Sequence, residues 1–161
     1  MDFSVVEAEY LRDRAVPDFE WNQFDEPSRP RPLAVGVREA RVALVSTAGA
    51  YLPATQEPFV LRSPLGDDSF RVIPGEATRD EISLAHVGYD IRRAAEDLDT
   101  VFPLNLLRDF AAQEMIGSVA PRHAAFMGYI PKTARLLTEI GPEVARIFRD
   151  DHVDLAILVP A

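Results

Sequence analysis

Two short apolar runs constrain this chain more than anything else in it. "ARVALVST" (Ala40–Thr47) and "DLAILV" (Asp154–Val159) are apolar at consecutive positions, not at every second one. A strand of that kind has both faces buried, as in a parallel sheet covered on each side. The intervening sequence supplies the cover. "RRAAEDLD", "PLNLLRDFAAQEMIG" and Thr133–Asp150 have helical spacing, the second with Pro103 near its start, Leu106, Leu107, Phe110, Ala111 and Met115 on one face, and Gly117 as its stop. Pro142 predicts a kink or break in the third. "SFRVIP" (69–74), "EISLAH" (81–86) and "SVAP" (118–121) read as further strands, and "RHAAFMGYIP" after the last as a loop. Strands alternating with helices describe an α/β fold, an open and mostly parallel sheet with helices on both faces, Rossmann-like or flavodoxin-like.

The first 39 residues read differently. A short helix over 4–15, with Ser4 as its N-cap, leads into the proline-rich "VPDFEWNQFDEPSRPRPLAVGVREA". That stretch predicts an extended strap whose Phe19, Trp21 and Phe24 drop onto the body. The organisation expected is therefore 1–39 as helix and strap and 40–161 as the α/β unit, 161 residues around one core.

Charge and residue usage remove several function classes. A net charge of −9 argues against nucleic acid, which calls for a clustered basic face. No apolar run approaches the roughly 20 residues of a membrane span. The acidic start "MDFSVVEAEYLRDRAV" lacks the basic and apolar segments of a secretory leader, so a cytoplasmic protein is expected. With no cysteine, these residues hold no disulfide, thiolate metal site or thiol nucleophile.

Ligands of open α/β sheets bind at the carboxyl ends of the strands, so the segments following strands carry the candidates. His86, Tyr89 and Asp90 stand in "AHVGYD"; His86 suits a general acid or base that Asp90 orients, or the pair simply caps the next helix. Arg122 and His123 stand in "APRHAAFMG", where an arginine fork can clamp a carboxylate, or the two are a surface pair. Small Ala124, Ala125 and Gly128 nearby permit close backbone approach. Ser46 and Thr47 end the first strand. "STAGAY" matches no nucleophile elbow, phosphate loop or dinucleotide fingerprint, which leaves hydroxyl contacts to a ligand or an ordinary turn. Two histidines with Asp90 lack metal-ligand spacing, and no metal is expected. In a parallel sheet His86, Arg122 and the end at Ala161 would share one edge, with His152 at the other.

Several stretches in order, "ARVALVSTAGAYL", "GDDSFRVIP", "ISLAHVGYDIRRAAEDLDTVFPLNLLRDF", "IGSVAPRHAAFMGYI" and "VDLAILVPA", resemble the selenoprotein B family of glycine, sarcosine and betaine reductases and the related D-proline reductase subunit. The resemblance covers about residues 40–161. It implies reductive cleavage of a C–N bond in an amino acid or derivative; for such a reaction the strand-end candidates are expected to divide into His86 and His123 as catalytic and Ser46, Thr47, Tyr89, Asp90 and Arg122 as substrate-binding. It also implies a selenocysteine or cysteine directly after Ala161, where a UGA codon would read as a stop, leaving the fold incomplete at its C-terminus and the given chain inactive. No cofactor is expected within the chain. A partner subunit bearing a pyruvoyl group and a thioredoxin-like reductant are implied, and an open sheet edge predicts a homo-oligomer. The chain departs from the family's H-x-H-Y-D pattern at Gly88. The rival reading is a non-catalytic ligand-binding or assembly subunit of the same fold.

Overall fold

The computed structural model describes residues 2–14, 16–21 and 31–161. In chain order the elements are α1 (Phe3–Arg14), β1 (Arg41–Ser46), β2 (Ala50–Tyr51), β3 (Arg71–Pro74), β4 (Ser83–Leu84), α2 (Ile91–Glu96), α3 (Leu104–Ala112), β5 (Ser118–Val119), β6 (Arg122–Ala125), α4 (Gly141–Asp150) and β7 (Leu155–Val159).

β1 is the central strand. It pairs in parallel with β7 along its whole length, Val42 facing Leu155 and Ser46 facing Val159. On its other side it pairs in parallel first with β5 and then with β6. β3 closes that side, antiparallel to β6. The sheet is thus mostly parallel with one antiparallel edge, an α/β fold.

The side-chain alternation of β1 divides the core between two faces. Val42 and Leu44 pack with Phe102, Leu104 and Leu107, which places α3 on one face. Val45 packs with Ala124, Phe126, Ile140 and Val144, which places α4 on the other. This layering is why Val42, Ala43 and Leu44 are fully buried.

Local chemistry sets the helix ends. The Asp99 carboxylate accepts the Asn105 N–H at 3.0 Å and so caps α3. The irregularity expected at Pro142 is a π-helical turn, not a break: Leu136–Ile140 is π-helical, Gly141 donates to the Leu136 carbonyl, and the helical backbone runs on through Ile140 and Gly141 into α4. Proline has no N–H to continue the ladder and its ring crowds the carbonyl four residues back, and the wider π turn before it accommodates both. At α1 the cap is Asp2, which accepts both the N–H and the hydroxyl of Ser4; Ser4 lies inside the helix, not at the cap as its sequence position suggested.

Two strand assignments change. "EISLAH" contributes only Ser83–Leu84, paired antiparallel with Ala50–Tyr51 in a separate two-stranded ribbon. "RHAA" is strand β6, not loop. Pro121 has no N–H for a ladder and interrupts the pairing, but Arg122–Ala125 resumes it between β3 and β1. Of the strap, Phe19 and Trp21 meet edge to face at 5.1 Å, while Phe24 lies outside the described residues.

Candidate functional site at the carboxyl edge of the sheet

The resumption of β6 after Pro121 moves the true strand end to Phe126–Gly128, and this decides which candidates meet. Between Val119 and Ala124 the four residues Ala120–His123 lie opposite only Ala43 and Leu44 of β1. Into that widened gap His123 inserts its ring. Nδ1 accepts the Leu44 N–H at 2.9 Å, standing in for a backbone carbonyl. His123 is fully buried, its Nε2 has no partner among the described residues, and Phe102 meets the ring edge-on. Burial, reinforced by the charge of Arg108 and opposed by Asp151, lowers its pKa to about 4.

Arg122 lies toward the amino end of the sheet. Its guanidinium forms a two-pronged pair with Asp151, which precedes β7, at 2.8 and 2.6 Å. That pair holds the Asp151 carboxyl below its ordinary range. Arg122 therefore does not share an edge with His86; His152, beside Asp151 in the turn before β7, is at the amino edge as expected.

At the carboxyl edge three strand ends converge. Thr47 follows β1, His86 follows β4 and Gly128 follows β6. A Cβ built on Gly128 would stand 3.1 Å from Thr47 Cβ and 3.3 Å from His86 Nε2. Gly128 has φ +90°, a conformation suited to glycine, and its missing side chain leaves a notch between the other two. The chain emerging from β7 enters the same place: the Ala161 N–H donates to Thr47 Oγ1 at 2.9 Å, and the Thr47 N–H to the Val159 carbonyl at 3.1 Å.

The His86 ring is held from two sides. The Gly88 N–H donates to its Nδ1 at 2.8 Å, so in the neutral ring the proton sits on Nε2, beside the notch. A Cβ on Gly88 would fall 2.8 Å from His86 Cε1, so glycine at this departure from the family pattern is what lets the ring fold back. Tyr89 packs against the ring with centroids 4.4 Å apart, its hydroxyl donating to the Ala48 carbonyl at 2.7 Å. Burial lowers the His86 pKa and raises that of Tyr89 to about 12. At neutral pH the notch thus faces a neutral imidazole N–H, with a protonated phenol behind it.

Ser46 and Asp90 are occupied structurally. The buried Ser46 hydroxyl donates to the Val101 carbonyl at 2.7 Å and accepts the Ala48 N–H. Asp90 caps α2 through the Arg92 N–H and pairs with the Arg92 side chain. Neither orients His86. Among the described residues no group of three or more His, Asp or Glu is placed to hold a metal, and no helix is long and apolar enough to cross a membrane.

With this geometry in place, the family model for glycine/sarcosine/betaine reductase selenoprotein B matches residues 16–161. The chain belongs to that family. A relative is the D-proline reductase subunit gamma of Acetoanaerobium sticklandii, 35% identical over 127 residues, 79% of this chain and 51% of the relative. Another is the glycine reductase complex component B subunit gamma of Carboxydothermus hydrogenoformans, 29% identical over 131 residues, 80% of this chain and 30% of the relative. The chain thus spans about half the length of the first and under a third of the second. No solved structure matches. The match reaches back into the strap, beyond the boundary at residue 40 that the sequence motifs suggested. Those motifs also missed the role of Gly88. Its signal was there, a glycine two residues after a histidine, but only the ring's fold-back gives it meaning.

Proposed function

We propose that this chain forms part of a thiol- or selenol-dependent reductase that cleaves a C–N bond of an amino acid or derivative. In the net reaction a protonated amine leaves as ammonia or a substituted amine, hydrogen replaces it on carbon, and a dithiol is oxidised to a disulfide. The observation that carries this reading is the convergence of Thr47, the His86 N–H and glycine-lined space where the chain leaves β7. The redox selenocysteine or cysteine follows Ala161 in this proposal. His86 then donates a hydrogen bond to the selenolate or thiolate, which favours the anion, and Thr47 fixes where the chain exits. Both relatives are named as subunits, which supports partner chains. A pyruvoyl-bearing subunit and a thioredoxin-like reductant are the partners proposed, in a cytoplasmic homo-oligomeric assembly. Arg122 and His123 support the sheet in this reading and do not touch substrate.

The test is a protein extended through the downstream coding sequence, with a cysteine codon next after Ala161. One thiol should alkylate faster than free cysteine at neutral pH. His86→Gln should slow it roughly tenfold, equivalent to one unit of thiol pKa, and Arg122→Gln should leave it unchanged. A thiol no more reactive than free cysteine favours the non-catalytic binding or assembly subunit.

A further inference from the structure

Two exposed apolar patches flank Tyr129. On α1, Ala8 and Leu11 face inward and pack with Val16, Phe19 and Tyr129. Phe3, Val6 and Tyr10 form a second stripe at helical spacing and stand in solvent, Phe3 with 77% of its surface exposed. A surface helix ordinarily carries one apolar stripe, so the outer one calls for a partner. The other patch is the loop 58–67, which presents Val60, Leu61 and Leu65 to solvent. That loop is held from below. Asp67 accepts the Val60 N–H at 2.8 Å, and the Tyr129 hydroxyl donates to the Pro64 carbonyl at 3.1 Å. Arg71 lies 4.3 Å over the Phe59 ring and donates to the Glu57 carbonyl at 2.9 Å. A loop fixed in this way loses little conformational freedom when it docks.

We infer that two copies of this chain pair about a two-fold axis beside Tyr129, the loop 58–67 of each seated on the outer α1 stripe of the other. Charge selects a second copy as the occupant. Arg62 stands among the apolar residues of the loop, and among the described residues no carboxylate pairs with it. Glu9 and Asp13, four residues apart along one edge of the α1 stripe, likewise have no cation among the described residues. Like charges at that spacing disfavour a helix until a cation joins them. The loop thus offers apolar groups around a cation, and α1 offers apolar groups beside two anions. Because Tyr129 touches the α1 cluster and the loop alike, these two halves are neighbours, and a two-fold rotation forms the contact twice and closes the assembly. A lipid surface could cover the same apolar groups, but the acidic edge of α1 and the net charge of −9 oppose approach to anionic lipid. Three apolar side chains against three, made twice, place the interface at the low end of the roughly 1,200–2,000 Å² of specific complexes, so a dimer of micromolar affinity is expected. Gly128, the wall of the His86–Thr47 notch, directly precedes Tyr129, so the interface borders the site. The pairing needs nothing from the reductase reading, and the thiol test of that reading does not depend on the pairing.

The test is sedimentation equilibrium from nanomolar to high micromolar concentration. Every protein carries Leu158→Lys, so that the exposed leucine of the β7 edge does not contribute. A monomer–dimer equilibrium with no larger species is expected, and Leu61→Ser should abolish the dimer. Arg62→Gln should raise its dissociation constant roughly fivefold, and Glu9→Gln with Asp13→Gln about as much. All three changes together should cost no more than either set alone, since both sets remove the same contact. Unchanged circular dichroism spectra show that the variants are folded. A monomer at all concentrations, a dimer untouched by Leu61→Ser, or independent addition of the two charge effects would overturn the inference. So would binding to phosphatidylcholine vesicles by a protein that stays monomeric in solution, which would assign the apolar patches to a lipid surface.

Discussion

Acidification from pH 7.5 to 4.5 should destabilise the fold through His123 in particular. In the native state its Nδ1 accepts the Leu44 N–H, so a proton there would set two N–H groups against each other in a buried strand gap. Burial is the main reason the folded pKa falls from 6.5 to about 4. The unfolded chain binds the proton near pH 6.5 and the native state does not, so unfolding takes up a proton within this window. Stability therefore rises with pH between about 4 and 6.5, is fully present above that range, and is lost as pH falls through it. At about 1.4 kcal/mol per unit the whole window is worth about 3 kcal/mol, a large share of the roughly 5–15 kcal/mol of an ordinary domain. The assay is urea unfolding at half-unit pH steps, for the parent chain and His123→Asn. Asn places Oδ1 where Nδ1 stood, keeps an acceptor for Leu44, and does not titrate. Loss of the ring should lower its stability at every pH, but its pH dependence between 4.5 and 7.5 should be flatter by about 2–3 kcal/mol. His86, also depressed by burial, titrates in both proteins and drops out of the difference. His123→Leu removes the acceptor and should cost about 1–3 kcal/mol near pH 7.5 for the orphaned amide, a deficit that shrinks as the parent loses stability on acidification. Parallel pH profiles for the parent and His123→Asn would refute the reasoning.

Gly128→Ala should cost about 1–3 kcal/mol, because φ is +90° and the new methyl crowds Thr47 and His86; unchanged stability together with unmoved His86 ring resonances would contradict the notch. The outer side of β7 has no strand partner among the described residues, and Leu158 is 73% exposed. Concentration-dependent self-association by light scattering is expected, reduced by Leu158→Lys, and a monomer at all concentrations would refute it.

Much of the fold was legible because it follows from local pattern. Consecutive apolar residues in 40–47 require burial on both faces, and the helices over 104–112 and 141–150 supply it; the same pattern in 154–159 predicts that burial too, but β7 lies at the sheet edge, where Ile157 and Leu158 stay exposed. The site was legible only in part. His86, Tyr89 and Thr47 follow strands and reach the carboxyl edge. Arg122 and His123 also appeared to follow a strand, but Pro121 interrupts the ladder without ending it, so both belong to β6. Ser46 and Asp90 look like ligand contacts in sequence because the same oxygens serve equally well as turn and helix caps.

By itself the sequence determined the layered α/β class, the helical irregularity at Pro142 and, through motif resemblance, the family, since each depends on residues near one another in the chain. The tertiary structure alone decided which of them meet. The Nδ1 of His123 fills a gap in pairing with a strand 79 residues away, and the Ala161 amide binds the hydroxyl of Thr47, 114 residues away. No local propensity records such pairings, because they are set by strand register and by the space a glycine leaves empty.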